Sequence, residues 1–244
     1  MGNPTAAMLV IGDEILSGRT RDANMYHLAN ELTGAGIRLV EVRVVADEHE
    51  AIVAAVRALS ASVDHVFTSG GIGPTHDDIT ADAMASAFGV SIDVREDARA
   101  LLAAHYERQG QELNAARLRM ARIPEGAVLI DNPVSTAPGF TIGNVHVMAG
   151  VPTIFQAMVA SVLPTLTGGA PLLSQSLPVM QGEGSIAEAF AALAAEYPEL
   201  SMGSYPFQKN GAYGTNLVIR GTDGAQLSEA MGKLVDLFGA PDVA

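Results

Sequence analysis

VFTSGGIGPTHDDIT, at residues 66–80, joins two kinds of periodicity through a run of glycines. Val66, Phe67 and Thr68 are β-rich and lead into Ser69-Gly70-Gly71-Ile72-Gly73-Pro74, after which Ile79, Ala83 and Ala87 recur at helical spacing. The order is strand, glycine loop, helix. Glycines at 70, 71 and 73 permit positive φ and close backbone approach, and amides near a helix start can hold an anion such as phosphate. On this reading Gly71→Val would remove ligand affinity more than stability. Asp77 and Asp78 follow at once, and carboxylates repel a phosphate unless a hard cation such as Mg²⁺ lies between them. The same residues also suit a plain turn in which Asp78 or Thr80 caps the helix. Neither GxGxxG nor GxxxxGK[ST] is present, and no lysine lies near the loop.

Upstream, residues 7–11 read as a buried strand closed by Gly12-Asp13-Glu14 and the turn-like Ser17-Gly18. Asp22 and Asn24 precede Leu28, Leu32 and Ala35, with Gly36 as the stop, so a helix is predicted over 22–35. Residues 37–45 form the next strand. Asp47 then stands in a cap position with Glu50 three residues later, ahead of Ile52, Val53, Val56 and Leu59. A third strand at 63–68 feeds the glycine loop. Such alternation predicts a three-layer α/β/α domain with a mostly parallel sheet. Ligands of open parallel sheets bind beyond the carboxyl ends of the strands. Asp13, Asp47 and Asp78 all fall at such ends, and their convergence would make a magnesium site.

Downstream, residues 97–121 read as a polar helical region interrupted at Gly110, and 128–130 as a short strand. Pro133 and Pro138 stiffen the loop at 132–140, where Asn132 and the hydroxyls can recognise a polar ligand or merely shape a crossing loop. A strand at 145–148 and an apolar helix at 153–166 complete a domain over residues 1–168. TGGAPLLSQSLP, at 167–178, reads as a linker. A second, smaller α+β domain is expected over 177–244. Its strands are placed at 177–180, 200–205 and 215–220 and its helices at 185–196, capped by Ser185, and 226–238. Tyr205, Phe207, Lys209, Asn210 and Tyr213 give it a distinctive surface, which a hairpin explains.

Composition narrows the function classes. The 244 residues are 48% hydrophobic without an apolar run of the roughly 18 residues that a membrane span needs. No basic segment precedes the first apolar run, so a cytoplasmic protein without a signal peptide is expected. The absence of cysteine excludes disulfides, thiolate metal sites and cysteine nucleophiles. A net charge of −13 opposes nucleic acid and anionic lipid. It opposes a free nucleotide as well, which would need its own magnesium or an arginine among Arg19, Arg21, Arg117, Arg119 and Arg122. The expected partners are a small-molecule nucleotide or pterin phosphate and, in a homo-oligomer, further copies of the chain; neither nucleic acid nor membrane is among them.

GDEILSG at 12–18, the helix at Asn24, VVADE at 44–48, TSGGIGPTHDDIT at 68–80, NPVSTAPGF at 132–140 and MAGVP at 148–152 together resemble a known family. It is the molybdopterin-binding (MoCF biosynthesis) fold family, and within it the amino-terminal domain of competence/damage-inducible protein A. The resemblance covers residues 5–167. The tail, with SMGSYP, resembles the small domain that follows this fold in bacterial proteins and in the molybdopterin-like portion of FAD synthases. Ser135 departs from the glycine common in NPVGTAPG.

The resemblance implies one of two phosphoryl chemistries: adenylylation of molybdopterin or metal insertion, or divalent-metal hydrolysis of ADP-ribose to AMP and ribose 5-phosphate. A non-catalytic binding protein is the third reading. Acids matching Asp47 and Asp78 are functionally critical in the family, and they are the catalytic candidates, with Asp78, Asp47 and Asp13 as ligands of Mg²⁺. Asp47 or Glu14 is the candidate general base, in competition with His76. The substrate-binding candidates lie in four groups: Gly12, Asp13, Glu14 and Asn24; Ser69, Gly70, Gly71, Gly73 and Thr80; Asn132, Ser135, Thr136 and Gly139; and Gly150 with Pro152. Molybdopterin enters as a possible ligand or substrate.

Overall fold

The computed structural model describes residues 2–209 and 211–239. Asn210 and residues 240–244, the end of the expected second domain, lie outside the described residues. The chain divides into two compact units, Met1–Gly169 and Ala170–Ala244.

Strand β1 (Thr5–Ile11) is buried at every position after Thr5, as a strand flanked on both sides and covered on both faces must be. A single turn α1 (Asp13–Leu16) and helix α2 (Asn24–Gly34) lead to β2 (Arg38–Val45), and α3 (His49–Ser60) leads to β3 (His65–Ser69). After the glycine loop come α4 (Thr80–Phe88), β4 (Ile92–Val94), α5 (Glu96–Arg108), the turn α6 (Ala115–Leu118) and β5 (Arg122–Pro124). Strands β6 (Val128–Ile130), β7 (Gly139–Ile142) and β8 (Val145–Met148) and helix α7 (Pro152–Val162) close the unit.

Among the described residues the main sheet has six strands in the order β2-β1-β3-β8-β7-β6. The first four are parallel, β7 runs antiparallel to β8, and β6 runs antiparallel to β7 and so along the first four. Alternate residues of β1 serve opposite cores. Ala7, Leu9 and Ile11 pack with Ile52, Val56 and Leu59 of α3 and with Ala83, Met84 and Leu102. Ala6, Met8 and Val10 pack with Leu28 and Leu32 of α2 and with Phe155, Met158 and Val159 of α7. Each fully buried leucine here contributes about 1.5–3 kcal/mol, which makes this two-sided packing the main support of the sheet. No helix among the described residues is long and apolar enough to cross a membrane.

The second unit contains β9 (Leu173–Val179), α8 (Glu183–Glu196), β10 (Ser201–Lys209), β11 (Ala212–Gly221) and α9 (Gly224–Phe238). Its antiparallel sheet runs β10-β11-β9. Leu177, Leu217 and Ile219 pack there with Ile186 and Leu193 of α8 and Leu227 and Leu234 of α9.

Four local expectations are corrected. Half of the expected linker is strand, because Leu177 and Val179 turn into the second core and Pro178 is tolerated on an edge strand. Asp47 does not cap α3: Glu48 is the N-cap residue, and it makes no side-chain bond. Ser185 does not cap α8, which starts at Glu183 behind Gly182. The helical region at 97–121 ends at Arg108, and its last part resumes only as a turn and a 3₁₀ segment before β5.

Candidate functional site

The loop after β3 is fixed from behind. Gly70 (φ 110°) and Gly71 (φ 70°) both lie in the region that favours glycine. A Cβ on Gly70 would overlap the Ile11 carbonyl oxygen, so β1 passes against this residue. A Cβ on Gly71 would overlap the Thr80 hydroxyl. That hydroxyl donates to the Gly70 carbonyl at 3.0 Å, and the Thr80 amide donates to the Gly71 carbonyl at 3.0 Å. Thr80 is fully buried. Its side chain therefore holds the loop and has no free surface for a substrate, and the space beside Gly71 belongs to Thr80, not to a ligand. This reverses the expectation that Gly71→Val would act on affinity before stability.

Several other candidate residues also work behind the surface. Asn24, at the start of α2, donates to Ser69 Oγ at 2.7 Å and to the Gly150 carbonyl at 2.8 Å. Both Asn24 and Ser69 are buried. Asn132 shapes its loop by donating to Ser135 Oγ and the Ala137 carbonyl and accepting from the Val134 and Ser135 amides. Thr136, at φ 66°, bonds His105 Nδ1 at 2.9 Å. Gly139 lacks room for a Cβ beside the Val147 carbonyl, a demand of strand packing. Gly12 is buried, and its amide donates to the Val45 carbonyl at 3.1 Å.

In front of these residues, beyond the carboxyl ends of β1, β3 and β8, lies a cleft of about 530 Å³. Glu14, Asp47, Gly70, Gly71, Gly73, Asp78, Asn132, Ser135, Gly150 and Pro152 line it, whereas Gly12, Asp13, Asn24, Ser69, Thr80, Thr136 and Gly139 do not. Sequence reasoning missed Thr20 and an apolar wall of Ile11, Ile72, Met120, Val151 and Ile154, and it read Asp77 beside the loop without naming it among the site residues. Asp77 carried a signal, being next to Asp78. Met120 carried none, since it arrives from a 3₁₀ segment distant in the chain.

Four carboxylates, of Glu14, Asp47, Asp77 and Asp78, line the cleft, and no lysine, arginine or histidine among the described residues does so. Burial raises the Asp47 carboxyl above its ordinary value, and the charges of Asp13, Glu14 and Asp77 raise it further, against the Asp13 amide that Asp47 Oδ2 accepts at 2.9 Å. Asp78 Oδ2 accepts from the Thr75 amide at 2.8 Å and the Thr75 hydroxyl at 2.5 Å. Hydrogen bonding by Thr75 also holds Asp77 below the usual carboxylate range. His76 is fully exposed, 3.9 Å from Asp77 Oδ1, and does not line the cleft.

The expected triad of Asp13, Asp47 and Asp78 does not assemble. Among the described residues no three acid or histidine side chains form a group that could hold a metal ion, and Asp13 offers Asp47 its amide. The arginines are mostly engaged. Arg122 forms a bidentate pair with Asp82 at 2.7 and 2.6 Å, and Arg117 bonds Gln111 and the Glu112 carbonyl while stacking on Tyr106. Arg119 Nη2 donates to the Asp78 carbonyl at 3.2 Å, and its Nε is buried without a hydrogen-bond partner. A small recess beside the cleft is shared by Arg119, Gly71, Gly73 and Asp78, which makes Arg119 the cation best placed near the loop. Arg19 and Arg21 are exposed.

Residues 7–168 match the family described as probable molybdopterin binding domain, and residues 171–243 match the FAD synthase middle domain. A protein of Caldivirga maquilingensis is 38% identical over 165 residues, covering 66% of this chain and 64% of its own. A CinA-like protein of Citrifermentans bemidjiense is 41% identical over 167 residues, covering 66% of this chain and 40% of its own. The chain thus spans less than two thirds of the length of either relative. The crystal structure of the protein CinA from Thermoplasma acidophilum superposes with a TM-score of 0.61 at 35% identity, over 66% of this chain and 97% of that one. With its first unit matched almost end to end, the chain belongs to the molybdopterin-binding domain family, as a CinA-like member that carries an FAD-synthase-type middle domain behind it.

Proposed function

We propose that the cleft binds a nucleotide or pterin phosphate together with Mg²⁺ and hydrolyses the pyrophosphate bond of an ADP-ribose-like dinucleotide. The observation that carries this reading is a cleft at the carboxyl ends of parallel strands with four carboxylates and, among the described residues, no basic lining residue. An anionic substrate cannot enter such a field without a cation. Mg²⁺ retains several waters and takes one or two carboxylates plus substrate phosphates, so oxygen donors from Asp47 and Asp78 suit it without a preassembled three-acid cage. When bound, it supplies charge stabilisation to the phosphoryl oxygens.

The chain's own residues supply the remainder. Glu14, the other candidate base and a lining residue of the cleft, takes a proton from the attacking water. The water oxygen bonds to phosphorus, the bridging P–O bond breaks, and AMP and ribose 5-phosphate leave. Thr75 holds Asp78 in one orientation, and the apolar wall of Ile72, Met120 and Ile154 receives a planar base or pterin ring. Arg119 stands close enough to the recess to meet a phosphate oxygen.

The family match itself favours a second reading, in which molybdopterin is bound or adenylylated. One experiment separates the two. The purified chain is incubated with ADP-ribose, or with molybdopterin and ATP, with Mg²⁺ or with chelator, and the products are identified by mass. Magnesium-dependent AMP and ribose 5-phosphate support hydrolysis, and an adenylylated pterin supports the second reading. Ligand binding without turnover of either substrate would leave a non-catalytic binding protein.

A further inference from the structure

The strands of the second unit differ from its helices in charge. Every acid among its described residues lies on α8, on α9 or in the turns before β10 and before α9, and β9, β10 and β11 carry none. Two of its three basic residues, Lys209 and Arg220, stand on those strands. Leu177, Leu217 and Met202 turn towards the helices, so the opposite face of the sheet carries Ser176, Asn216, Arg220, Tyr205, Phe207 and Lys209. Ser176, Lys209 and Arg220 are exposed, and Tyr205 is 48% exposed. The Tyr205 ring lies against Gly203, and the Phe207 ring occupies the place of a Cβ on Gly214, so both rings lie along the sheet over glycines. The Arg220 guanidinium is 6.0 Å from the centre of the Tyr205 ring. Arg220 pairs with Ser201, at the far end of β10 from Lys209, which sets the two cations about 27 Å apart with the rings between them. Covering glycines explains one side of each ring. It does not explain strands free of acid with a cation at either end.

We propose that this face binds single-stranded RNA, with two bases stacked on Tyr205 and Phe207 and the flanking phosphates held by Arg220 and Lys209. Aromatic rings accept any base, because every base has a π-face, and a basic track beside them holds the backbone. Tyr205 and Phe207 stand two residues apart, about 6.7 Å along β10, so each base has a ring of its own. A duplex hides its base faces and cannot use such a platform. The net charge of −13 on the whole chain does not forbid the contact. Exposed charges farther than about 10 Å are screened at 0.1 M salt, and the nearest exposed charges on this face are the two cations. Asn216 pairs with Tyr205 across the strands, and Ser176 lies one row away, opposite Val218. Their amide and hydroxyl can bond a ribose 2′-hydroxyl, which DNA lacks. None of these residues lines the cleft of the first unit, so the inference stands apart from the phosphoryl chemistry proposed there.

The test is fluorescence anisotropy of a labelled oligouridylate of about eight nucleotides, the length that about 27 Å admits at 3.4 Å per phosphate. The full chain is titrated in with chelator present, so that the acidic cleft, which needs a cation to admit an anion, does not contribute. Binding should saturate, and with two phosphate contacts log K should fall against log salt with a slope of about −1.4. Tyr205→Ala should weaken binding about fivefold or more, the low end for one stacked base, and Tyr205→Phe should retain it. Arg220→Gln should bring the slope to about −0.7. The matching deoxyuridine oligomer and a blunt RNA duplex should both bind several-fold more weakly. Circular dichroism establishes that each variant is folded. Absence of saturable binding by wild type, equal binding of the DNA or the duplex, or a folded Tyr205→Ala with undiminished binding would overturn the proposal. So would a Tyr205→Ala that separates copies of the chain in sedimentation while leaving the oligouridylate unaffected, since the face would then serve self-association.

Discussion

The Thr80 hydroxyl donates to the Gly70 carbonyl at 3.0 Å across the turn between β3 and α4. It also stands where a Cβ on Gly71 would have to go. Gly71→Ala should therefore lose about 1–2 kcal/mol to left-handed backbone strain and about 1–3 kcal/mol to overpacking. Thr80→Val, which keeps the shape and removes the donor, should lose about 1–3 kcal/mol by leaving the Gly70 carbonyl unpaired. Urea unfolding measures both. Wild-type stability in Gly71→Ala would show that the loop relaxes away from Thr80.

Asp47 is an acid held above its ordinary value, chiefly by burial and then by like charges. Its contribution to stability is present below the unfolded value near 3.8 and is lost as pH rises through the raised folded value. At neutral pH the carboxylate is thus a net cost. Asp47→Asn keeps an acceptor for the Asp13 amide and should melt higher than wild type, by less than about 1 kcal/mol because solvent screens the site. Under the proposed function it should also lose magnesium-dependent turnover, and Mg²⁺ should raise the melting temperature of wild type more than that of the variant. Scanning calorimetry with and without Mg²⁺, beside product assays, checks both. A lower melting temperature for the variant would contradict the electrostatic account.

The strand, glycine loop and helix were legible because each rests on short-range periodicity, and β1 because the five-residue apolar run at 7–11, without alternation, must be covered on both faces. What sequence could not decide was side-chain direction. Asp47 satisfies the local pattern for a helix cap, but the Asp13 amide reaches it from another strand end and takes its carboxylate instead. Asp77 and Asp78 are adjacent, yet it is Asp77 whose charge acts on Asp47 and Asp78 that Thr75 orients. Thr80 reads equally as cap or ligand contact until its burial under Gly70 and Gly71 is known. Strand β7 was hidden in a proline-rich stretch because its pairing partners are β6 and β8, not its own periodicity.

Asn24 ties three segments together by giving both amide protons away, to Ser69 Oγ and to the Gly150 carbonyl. Asn24→Ala should lose about 1–3 kcal/mol, the usual effect of stranding buried partners. Asn24→Asp should lose more, since a carboxylate would face the Gly150 carbonyl without a proton to offer. Because Gly150 and Pro152 line the cleft, ligand affinity should fall alongside stability. Titration calorimetry with nucleotide and Mg²⁺, on variants shown to be folded, tests this; undiminished stability in Asn24→Asp would rule out the tie.

His146, in β8, is buried against Phe67, with Nδ1 3.0 Å from the Thr141 hydroxyl and Nε2 3.4 Å from His65 Nδ1. Burial, and then the neighbouring His65, push its imidazole down from 6.5 to about 4, and burial lowers His65 too. The folded chain therefore keeps His146 neutral where the unfolded chain protonates it. Between about pH 6.5 and pH 4 the unfolded state binds the extra proton, so stability falls as pH falls through that window. At about 1.4 kcal/mol per unit the full loss is about 3 kcal/mol. His146→Gln removes the titrating group and retains hydrogen-bonding capacity toward Thr141. Its stability at pH 7 should be lower than wild type, but its decline on acidification should be shallower by close to one proton. Urea midpoints collected across the window give both slopes. Parallel slopes would mean that the fold accommodates the imidazolium, and the neutral His146 would have to be abandoned.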